Sequence, residues 1–238
     1  MKSNSEFPGR DWTPPSTKEG WSDFLLEAVL QDRCDLVTLA LNSGANTNIE
    51  DGRPLTEAIQ LANYKLVKLL LERGADPNAQ NSRPLIEAIK LGRSNLVQLL
   101  LEWGADPNAQ NGQPLIVALE CFNLPAAHLL LDNGANPNAQ NGKPLINAFG
   151  ICRQRYSSIC TDDKIYALFS CLIDKGAEVN GNALINSVIE EIRPRSVFEL
   201  LLSASNAPDY FLHKVLLEAI ILNRTDIIEI LNKRNIHF

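Results

Sequence analysis

Apolar residues recur along most of this chain at the spacing of short amphipathic helices. The segment Arg83–Gly112, RPLIEAIKLGRSNLVQLLLEWGADPNAQNG, shows the pattern clearly. Leu85, Ala88 and Ile89 fall on one face of a first helix. A denser apolar set follows in a second helix, for which Ser94 is the expected N-cap. Each unit of this kind predicts a pair of short helices.

Polar stretches that contain glycine and proline separate the helix pairs. GADPNAQN occurs at Gly74–Asn81 and again at Gly104–Asn111, and related sequences begin at Gly44 and Gly134, thirty residues apart each time. A glycine in the left-handed conformation ends a helix, the following proline prevents the helix from resuming, and Asn-Gly favours a tight turn. Because one helix pair cannot bury its apolar faces alone, the repetition predicts stacked pairs that share a core.

The chain contains about seven such pairs between Trp21 and its C-terminus, and the terminal pairs keep the pattern more loosely. We expect residues 1–20 to form an N-terminal arm that is disordered or covers the first repeat. Residues 21–238 are expected to form a single repeat domain. The fifth unit is twelve residues longer than the fourth, which predicts an insertion near residues 150–163.

The motifs PLxxA, LVxLLLxxGA and GADPNA resemble those of ankyrin repeats, in which about 33 residues form a β-turn and two helices. The resemblance implies an all-α fold, an ankyrin-type α-solenoid of helix-turn-helix repeats. This chain has a shorter period and lacks the family's T-P-L-H signature. We therefore expect a short turn between Asn78 and Pro84 in place of a projecting β-hairpin. We also expect apolar contacts in place of the Thr–His hydrogen bonds, since the histidine position holds Thr56, Ile86, Ile116 and Ile146.

The resemblance implies a non-catalytic protein-binding module without a cofactor, with an adaptor, inhibitor, immunity-type or assembly-chaperone role. The partner would be another protein. The net charge of −6 gives no general attraction to nucleic acid or to anionic membrane, and we expect a monomer when the chain is free. Five cysteines without a CxxC motif, behind a polar N-terminus, predict reduced thiols and a cytoplasmic location.

The resemblance also implies where a partner would bind. Variable contact positions lie late in the first helix of each pair and in the turn before it: Gln60, Lys90, Glu120 and Gly150, with Glu57, Glu87, Val117 and Asn147 nearby. Trp103 stands where other repeats have polar residues, so it is either a binding hot spot or a packing residue. In the insertion, Arg153, Arg155 and Tyr156 are further candidates, the alternative being a tolerated loop.

Four residues before the repeat prolines form a predicted ladder: Arg53, Arg83, Gln113 and Lys143. The ladder is either a track for an acidic partner or a set of local pairs, because Glu57 and Glu87 follow the two arginines at i,i+4. We favour local pairing for the arginines. Lys143 stays a candidate contact, since Asn147 offers it no charge.

The sequence leaves two alternatives to a binding module open. One is an enzyme with Cys152 or Cys160 as nucleophile, which needs a histidine nearby, and His128 is the nearest along the chain. No phosphate loop or HExxH motif supports catalysis, and two cysteines without a histidine near in sequence do not make a zinc site. We expect no catalytic residue, cofactor or metal. The other alternative is a structural, self-assembling unit.

Overall fold

A computed structural model describes residues 13–153, 161–180, 182, 183, 185, 195–234 and 236. Within these residues the chain forms thirteen α-helices and no strand, as predicted. The helices are α1 (Lys18–Leu30), α2 (Cys34–Asn42), α3 (Ile49–Gln60), α4 (Tyr64–Glu72), α5 (Ala79–Lys90), α6 (Ser94–Glu102), α7 (Ala109–Glu120), α8 (Leu124–Asp132), α9 (Ala139–Arg153), α10 (Asp162–Asp174), α11 (Arg195–Ala204), α12 (Asp209–Ile221) and α13 (Thr225–Lys233).

The chain divides into two compact units, Met1–Pro84 and Leu85–Phe238. In the first unit, α1 packs against α2 and α3, and α3 packs against α4. In the second unit, α7 packs against α8 and α9, while the second helices of successive pairs stack in the order α6, α8, α10, α11 and α13. The expectation that residues 21–238 form a single domain stays a prediction.

The pair α7 and α8 shows how the local sequence sets the helix limits. Asn123 caps α8, because its side-chain oxygen accepts the backbone N–H of Ala126 at 3.2 Å. The end of α8 is closed by Gly134 with φ of 85°, and the N–H of Ala135 then donates to the carbonyl of Leu130 at 2.9 Å. This arrangement is the expected left-handed glycine cap.

The predicted N-cap of α6 is wrong by one residue. Ser94 is already the first residue of the helix, and the cap position belongs to Arg93, whose side chain makes no capping hydrogen bond. Asn63, at the equivalent position before α4, does cap, since it accepts the N–H of Leu66 at 3.1 Å. The repeat therefore places its cap one residue earlier than the serine suggested.

Three consecutive residues with positive φ join one repeat to the next. In α7 they are Gln110, Asn111 and Gly112, with φ of 51°, 58° and 78°. The same left-handed turn occurs at residues 50–52, 80–82 and 140–142. After it the chain returns to a right-handed helix that carries proline in its first turn, where a proline is tolerated. The expected short turn is confirmed.

The position that replaces the family histidine is buried in three repeats but exposed in a fourth. Thr56, Ile86 and Ile116 are buried, whereas Ile146 is 54% exposed. Ile146 borders an open cleft that Asn180 and other residues line. The expected apolar contact is consistent with the burial of Ile86 and Ile116. It is wrong for the exposed Ile146, and Thr56 buries a hydroxyl that has no hydrogen-bond partner.

The region of the predicted insertion has longer helices than its neighbours. Helix α9 has 15 residues against 12 in α7, and α10 has 13 against 9 in α8. Residues 154–160 lie outside the described part of the chain. Phe149 of α9 and Phe169 of α10 pack with ring centroids 5.4 Å apart, so the two longer helices share a buried contact.

The first helix begins inside the segment predicted as an arm. Thr17 caps α1 by accepting the N–H of Gly20 at 3.1 Å, so residues 18–20 are helical. Trp21 meets the ring of Phe24 edge to face at 5.7 Å, and Phe24 is buried. Trp12 lies outside the described residues. No helix that the structure describes is long and apolar enough to cross a membrane.

Candidate binding surface

The predicted contact positions at the ends of the first helices lie on the surface. Gln60, Lys90, Glu120 and Gly150 are all exposed, and each directly follows a buried residue of the same helix: Ile59, Ile89, Leu119 and Phe149. Because the preceding residue is packed in the core, it orients the exposed side chains of Gln60, Lys90 and Glu120, whereas Gly150 has no side chain. Val117, which was predicted to lie near this surface, is buried.

Glu120 is the centre of a polar cluster that joins two repeats. The ammonium of Lys143 lies 3.6 Å from its carboxylate, and Asn147 donates to the same oxygen at 3.4 Å. Lys143 therefore has a charged partner after all, one that comes from the preceding repeat. Since both charges are well exposed, the ion pair is worth only about 0–1 kcal/mol, and its groups can exchange partners at little cost.

The other residues of the ladder also pair within the chain. Arg53 contacts Glu50 at 2.7 Å and Glu57 at 3.2 Å, which confirms local pairing at this position.

The second predicted local pair is replaced by other contacts. Arg83 donates to Gln80 at 3.0 Å, and Glu87 is instead 3.4 Å from Lys90. An acidic residue before a basic one is the favourable order on a helix, which explains the choice of Glu87. Gln113 accepts from Gln140 at 3.2 Å.

Trp103 stands apart from the contact positions of the first helices. It follows the last residue of α6 and is 42% exposed. Lys90 lies before the turn that leads into α6. The nine residues of α6 span about 13 Å at 1.5 Å per residue, so Trp103 and Lys90 lie at opposite ends of this helix. Arg153, Arg155 and Tyr156 belong to the part whose side chains are not described.

A row of asparagines connects successive repeats. From the sequence these residues were interpreted only as turn formers. Asn108 donates to the carbonyl of Gly134 at 2.8 Å and accepts the N–H of Asn136 at 2.7 Å. Asn48 binds Gly74 and Asp76 in the same way, and Asn138 binds Gly176 and Glu178. The signal was present, since each of these asparagines recurs with the thirty-residue period. These asparagines satisfy backbone groups of the next repeat, and they therefore fix one repeat against the next.

We expect Asn108→Ala to lower the free energy of unfolding by about 2 kcal/mol, because two hydrogen bonds between repeats are lost at about 0.5–1.5 kcal/mol each. Asn133→Ala is the matched control, since Asn133 donates only within its own helix end, to Leu129 at 2.8 Å. It should change stability by less than about 0.5 kcal/mol. Urea unfolding followed by circular dichroism measures both, and equal losses would contradict the role of Asn108.

In the first and last described helix pairs, an arginine–aspartate pair lies at the start of the second helix, where Asn63 and Asn123 form the cap in other repeats. Arg224 forms two hydrogen bonds to Asp226, at 3.0 and 2.9 Å, and Arg33 does the same to Asp35, at 2.9 and 2.7 Å. Hydrogen bonds from Arg33 lower the pKa of Asp35 to about 2, and those from Arg224 lower the pKa of Asp226. These carboxylates are therefore charged and engaged within the chain, so they have a structural role.

The described residues offer little for catalysis or metal binding. No group of three or more His, Cys, Asp or Glu side chains among them could hold a metal ion. A ring nitrogen of His128 lies 2.9 Å from the carbonyl oxygen of Leu124, one turn earlier in its own helix. The side chains of Cys152 and Cys160 are outside the described part. Cys34, Cys121 and Cys171 are free thiols, and burial raises the pKa of Cys171.

Comparison with known proteins agrees with the geometry. The family model described as ankyrin repeats, in three copies, matches residues 25–111 and 83–141. Among solved structures, the ankyrin repeat domain of Bcl-3, titled a unique member of the IkappaB protein family, is similar. It has 22% sequence identity and a TM-score of 0.59 over 78% of this chain and 87% of that one. No curated protein sequence matches this chain. The chain belongs to the ankyrin repeat family.

Proposed function

We propose that the chain is a non-catalytic protein-binding module, acting as an adaptor, inhibitor, immunity-type protein or assembly chaperone. Ankyrin repeats are in general protein-interaction modules, and membership of the family supports this reading. The partner is another protein that contacts the ends of the first helices. The likeness to Bcl-3 concerns the fold, so no partner is carried over from it.

One observation carries the proposal: the exposed residues differ from repeat to repeat, whereas the buried helical framework that holds them stays the same. Gln60, Lys90 and Glu120 occupy one repeat position and have three different chemistries, whereas the residue before each of them is buried and aliphatic. A frame of this kind holds its side chains before the partner arrives, and binding therefore loses less conformational entropy.

The ion pairs of this surface are compatible with binding. Lys90 is paired with Glu87, and Lys143 with Glu120, at 3.4 and 3.6 Å. Because exposed pairs contribute little stability, a partner that offers its own charges can replace them. The mixture of both signs favours a partner surface that also carries both signs, which gives specificity through matched charges.

Trp103 is proposed as a separate contact. A tryptophan that is 42% exposed offers a large apolar area with few rotatable bonds, and such residues dominate the energy of many interfaces. Trp103 and Lys90 lie at opposite ends of α6. A partner that contacts both residues must therefore extend along the whole length of this helix. Trp103 must therefore be tested apart from the first-helix residues.

The test is affinity capture from a lysate of the source cells, followed by mass spectrometry, with three variants beside the wild type. One variant combines Lys90→Ala with Glu120→Ala, and a second is Trp103→Ala. The matched control combines Tyr64→Ala, Lys68→Ala and Glu72→Ala. It removes an aromatic residue that is exposed about as much as Trp103, together with an i,i+4 ion pair at 3.9 Å on a second helix.

We expect one protein to be captured by the wild type and the control and to be lost from at least one of the two test variants. Loss from the Lys90 and Glu120 variant supports the first-helix surface, and loss from Trp103→Ala supports the second contact. Capture that is equal with all variants would overturn both sites. An empty capture with the wild type would overturn the binding module and favour either the enzyme that uses Cys152 or Cys160 or the structural, self-assembling unit.

A further inference from the structure

We propose that Asn141 is a site of spontaneous deamidation, at which the side-chain amide of the folded protein is converted to a carboxylate. Asn141 is exposed and is followed by Gly142. Deamidation is fastest where glycine follows asparagine, because glycine has no side chain to hinder its own backbone nitrogen. The reaction needs no partner protein, so it is independent of the proposed function.

The chemistry uses only the chain and water. The backbone nitrogen of Gly142 loses its proton to solvent and attacks the side-chain carbonyl carbon of Asn141. A C–N bond forms, and ammonia leaves. Water then opens the cyclic succinimide at either of its two carbonyl groups, which gives aspartate or isoaspartate.

The same dipeptide occurs in four places, with its asparagine at Asn111, Asn133, Asn141 and Asn180. Gly181 lies outside the described residues, so the comparison is between the first three pairs. In an unfolded chain these pairs should react at similar rates, since glycine is the next residue in each. In the folded chain the rate depends on how easily each site opens.

The turn at Asn141 must open before the nitrogen can reach the amide. Ring closure requires the glycine nitrogen and the asparagine Cβ to lie on the same side of the Cα–C bond. Asn141 has φ of 62° and ψ of 43°, and in this left-handed conformation the two atoms lie on opposite sides. The N–H of Gly142 also donates to the carbonyl of Asn138 at 3.1 Å. Contacts with the next repeat therefore decide how often such a turn opens.

Two contacts from the next repeat hold the equivalent turn at Asn111 closed. Gly112 is buried, and an added Cβ on it would collide with the Cβ of Ala139. Gln140 donates to the backbone carbonyl of Asn111 at 3.4 Å. Within the turn, the N–H of Gly112 donates to the carbonyl of Asn108 at 2.9 Å. Opening this turn therefore requires the junction between two repeats to separate.

The turn at Asn141 has neither of these two contacts. An added Cβ on Gly142 would meet nothing within 4 Å. In the repeat register the alanine is replaced by Gly181, which has no Cβ, and the glutamine by the shorter Asn182. Among the described residues, no hydrogen bond holds the side chain or the carbonyl of Asn141. An open cleft of about 410 Å³ lies beside the turn, which gives it room to rearrange.

Asn133 is restrained in a different way. Its side-chain amide donates to the carbonyl of Leu129 at 2.8 Å. The N–H of Gly134 donates to the carbonyl of Leu131 at 3.2 Å. Both groups that must react are therefore engaged at the end of α8, and this helix end has to unfold before they can meet.

The two products of the reaction should differ in their effect on the fold. Aspartate is compatible with the turn, because Asp51 holds the equivalent position with φ of 54°. Isoaspartate adds a methylene group to the main chain inside a row of three left-handed residues, and it should weaken the turn that leads into α9. Either product adds a negative charge just before Lys143, which lies in the proposed partner surface.

Peptide mapping by mass spectrometry, during incubation in mildly alkaline buffer, tests the proposal. We expect Asn141 in the folded chain to convert at least about tenfold faster than Asn111 and Asn133, since fewer contacts oppose its opening. In urea, where the chain is unfolded, the three rates should become similar. Asn141→Gln should remove the fast reaction, because glutamine closes the corresponding larger ring much more slowly.

A matched pair of variants tests the physical cause. Ala139→Gly removes the contact that covers Gly112, and it should raise the conversion rate at Asn111 several-fold. Ala79→Gly removes the same kind of contact from Gly52 and should leave the rate at Asn111 unchanged. Circular dichroism confirms that each variant is folded.

Three results would overturn the proposal. The first is conversion in the folded chain that is as fast at Asn111 or Asn133 as at Asn141. The second is a folded chain in which Asn141 stays unconverted while the sample in urea reacts completely. The third is an equal advantage of Asn141 in urea, which would assign the difference to the local sequence and not to the fold.

Discussion

Gly112→Ala is expected to lower the free energy of unfolding by about 3 kcal/mol. Gly112 has φ of 78°, and an added Cβ would lie 2.3 Å from the Cβ of Ala139 in the next repeat. The left-handed conformation costs an L residue about 1–2 kcal/mol, and overpacking of a close contact costs about 1–3 kcal/mol. Urea unfolding monitored by circular dichroism measures the loss.

Gly142→Ala separates the two contributions. Gly142 has almost the same φ, 80°, but an added Cβ would have no neighbour within 4 Å. It should therefore cost only about 1–2 kcal/mol, the backbone part alone. Ser82 holds the equivalent position in another repeat with φ of 61°, which shows that the turn accepts a side chain when the backbone adjusts. Equal losses for the two variants would show that the contact with Ala139 has no energetic weight.

Gly104→Val is expected to cost about 2–3 kcal/mol by the same measurement. Gly104 ends α6 with φ of 86°, and its N–H donates to the carbonyl of Leu101 at 3.0 Å. A β-branched residue at positive φ is strongly disfavoured, and strained backbone of this kind costs about 1–3 kcal/mol. An added Cβ would meet nothing within 4 Å, so the Cβ itself adds no steric clash to the backbone cost.

Gly150→Ala is the control for this second prediction. Gly150 is an exposed helical residue, and an added Cβ would also have open space around it. Alanine is the better helix former by about 1 kcal/mol, so this variant should be as stable as the wild type or more stable. An unchanged midpoint for Gly104→Val would mean that α6 does not need a left-handed residue at its end.

Much of the fold was predictable because its signals are local and repeated. The apolar spacing of Leu85, Ala88 and Ile89 predicted a first helix, and all three are buried. Gly104 predicted the end of α6, and Asn111–Gly112 predicted the turn that leads into the next helix. Each signal depends on residues within a few positions of one another, and four near-identical copies removed the ambiguity of any single one. The predicted cap of α6 was wrong by one residue, because a serine near a helix start is compatible both with the cap position and with the first helical position.

The contacts between repeats were much less predictable. The sequence placed Lys143 beside Asn147 and so left it without a charge, yet Lys143 pairs with Glu120, which is 23 positions earlier. The asparagines of GADPNAQN read as turn formers, although Asn108 binds backbone groups 26 and 28 residues away. Such partners depend on how one repeat rests on the next, and no local pattern encodes that.

The sequence by itself determined the helix pairs, their period, the short left-handed turns and the family, because each follows from backbone preferences and from the need to bury apolar faces. Only the tertiary structure decided which charges pair and which residues at one repeat position are buried. Ile116 and Ile146 are the same residue at the same repeat position, and one is buried while the other is exposed. Burial depends on which side chains of other helices pack against a position, and that is a property of the stack and not of the segment.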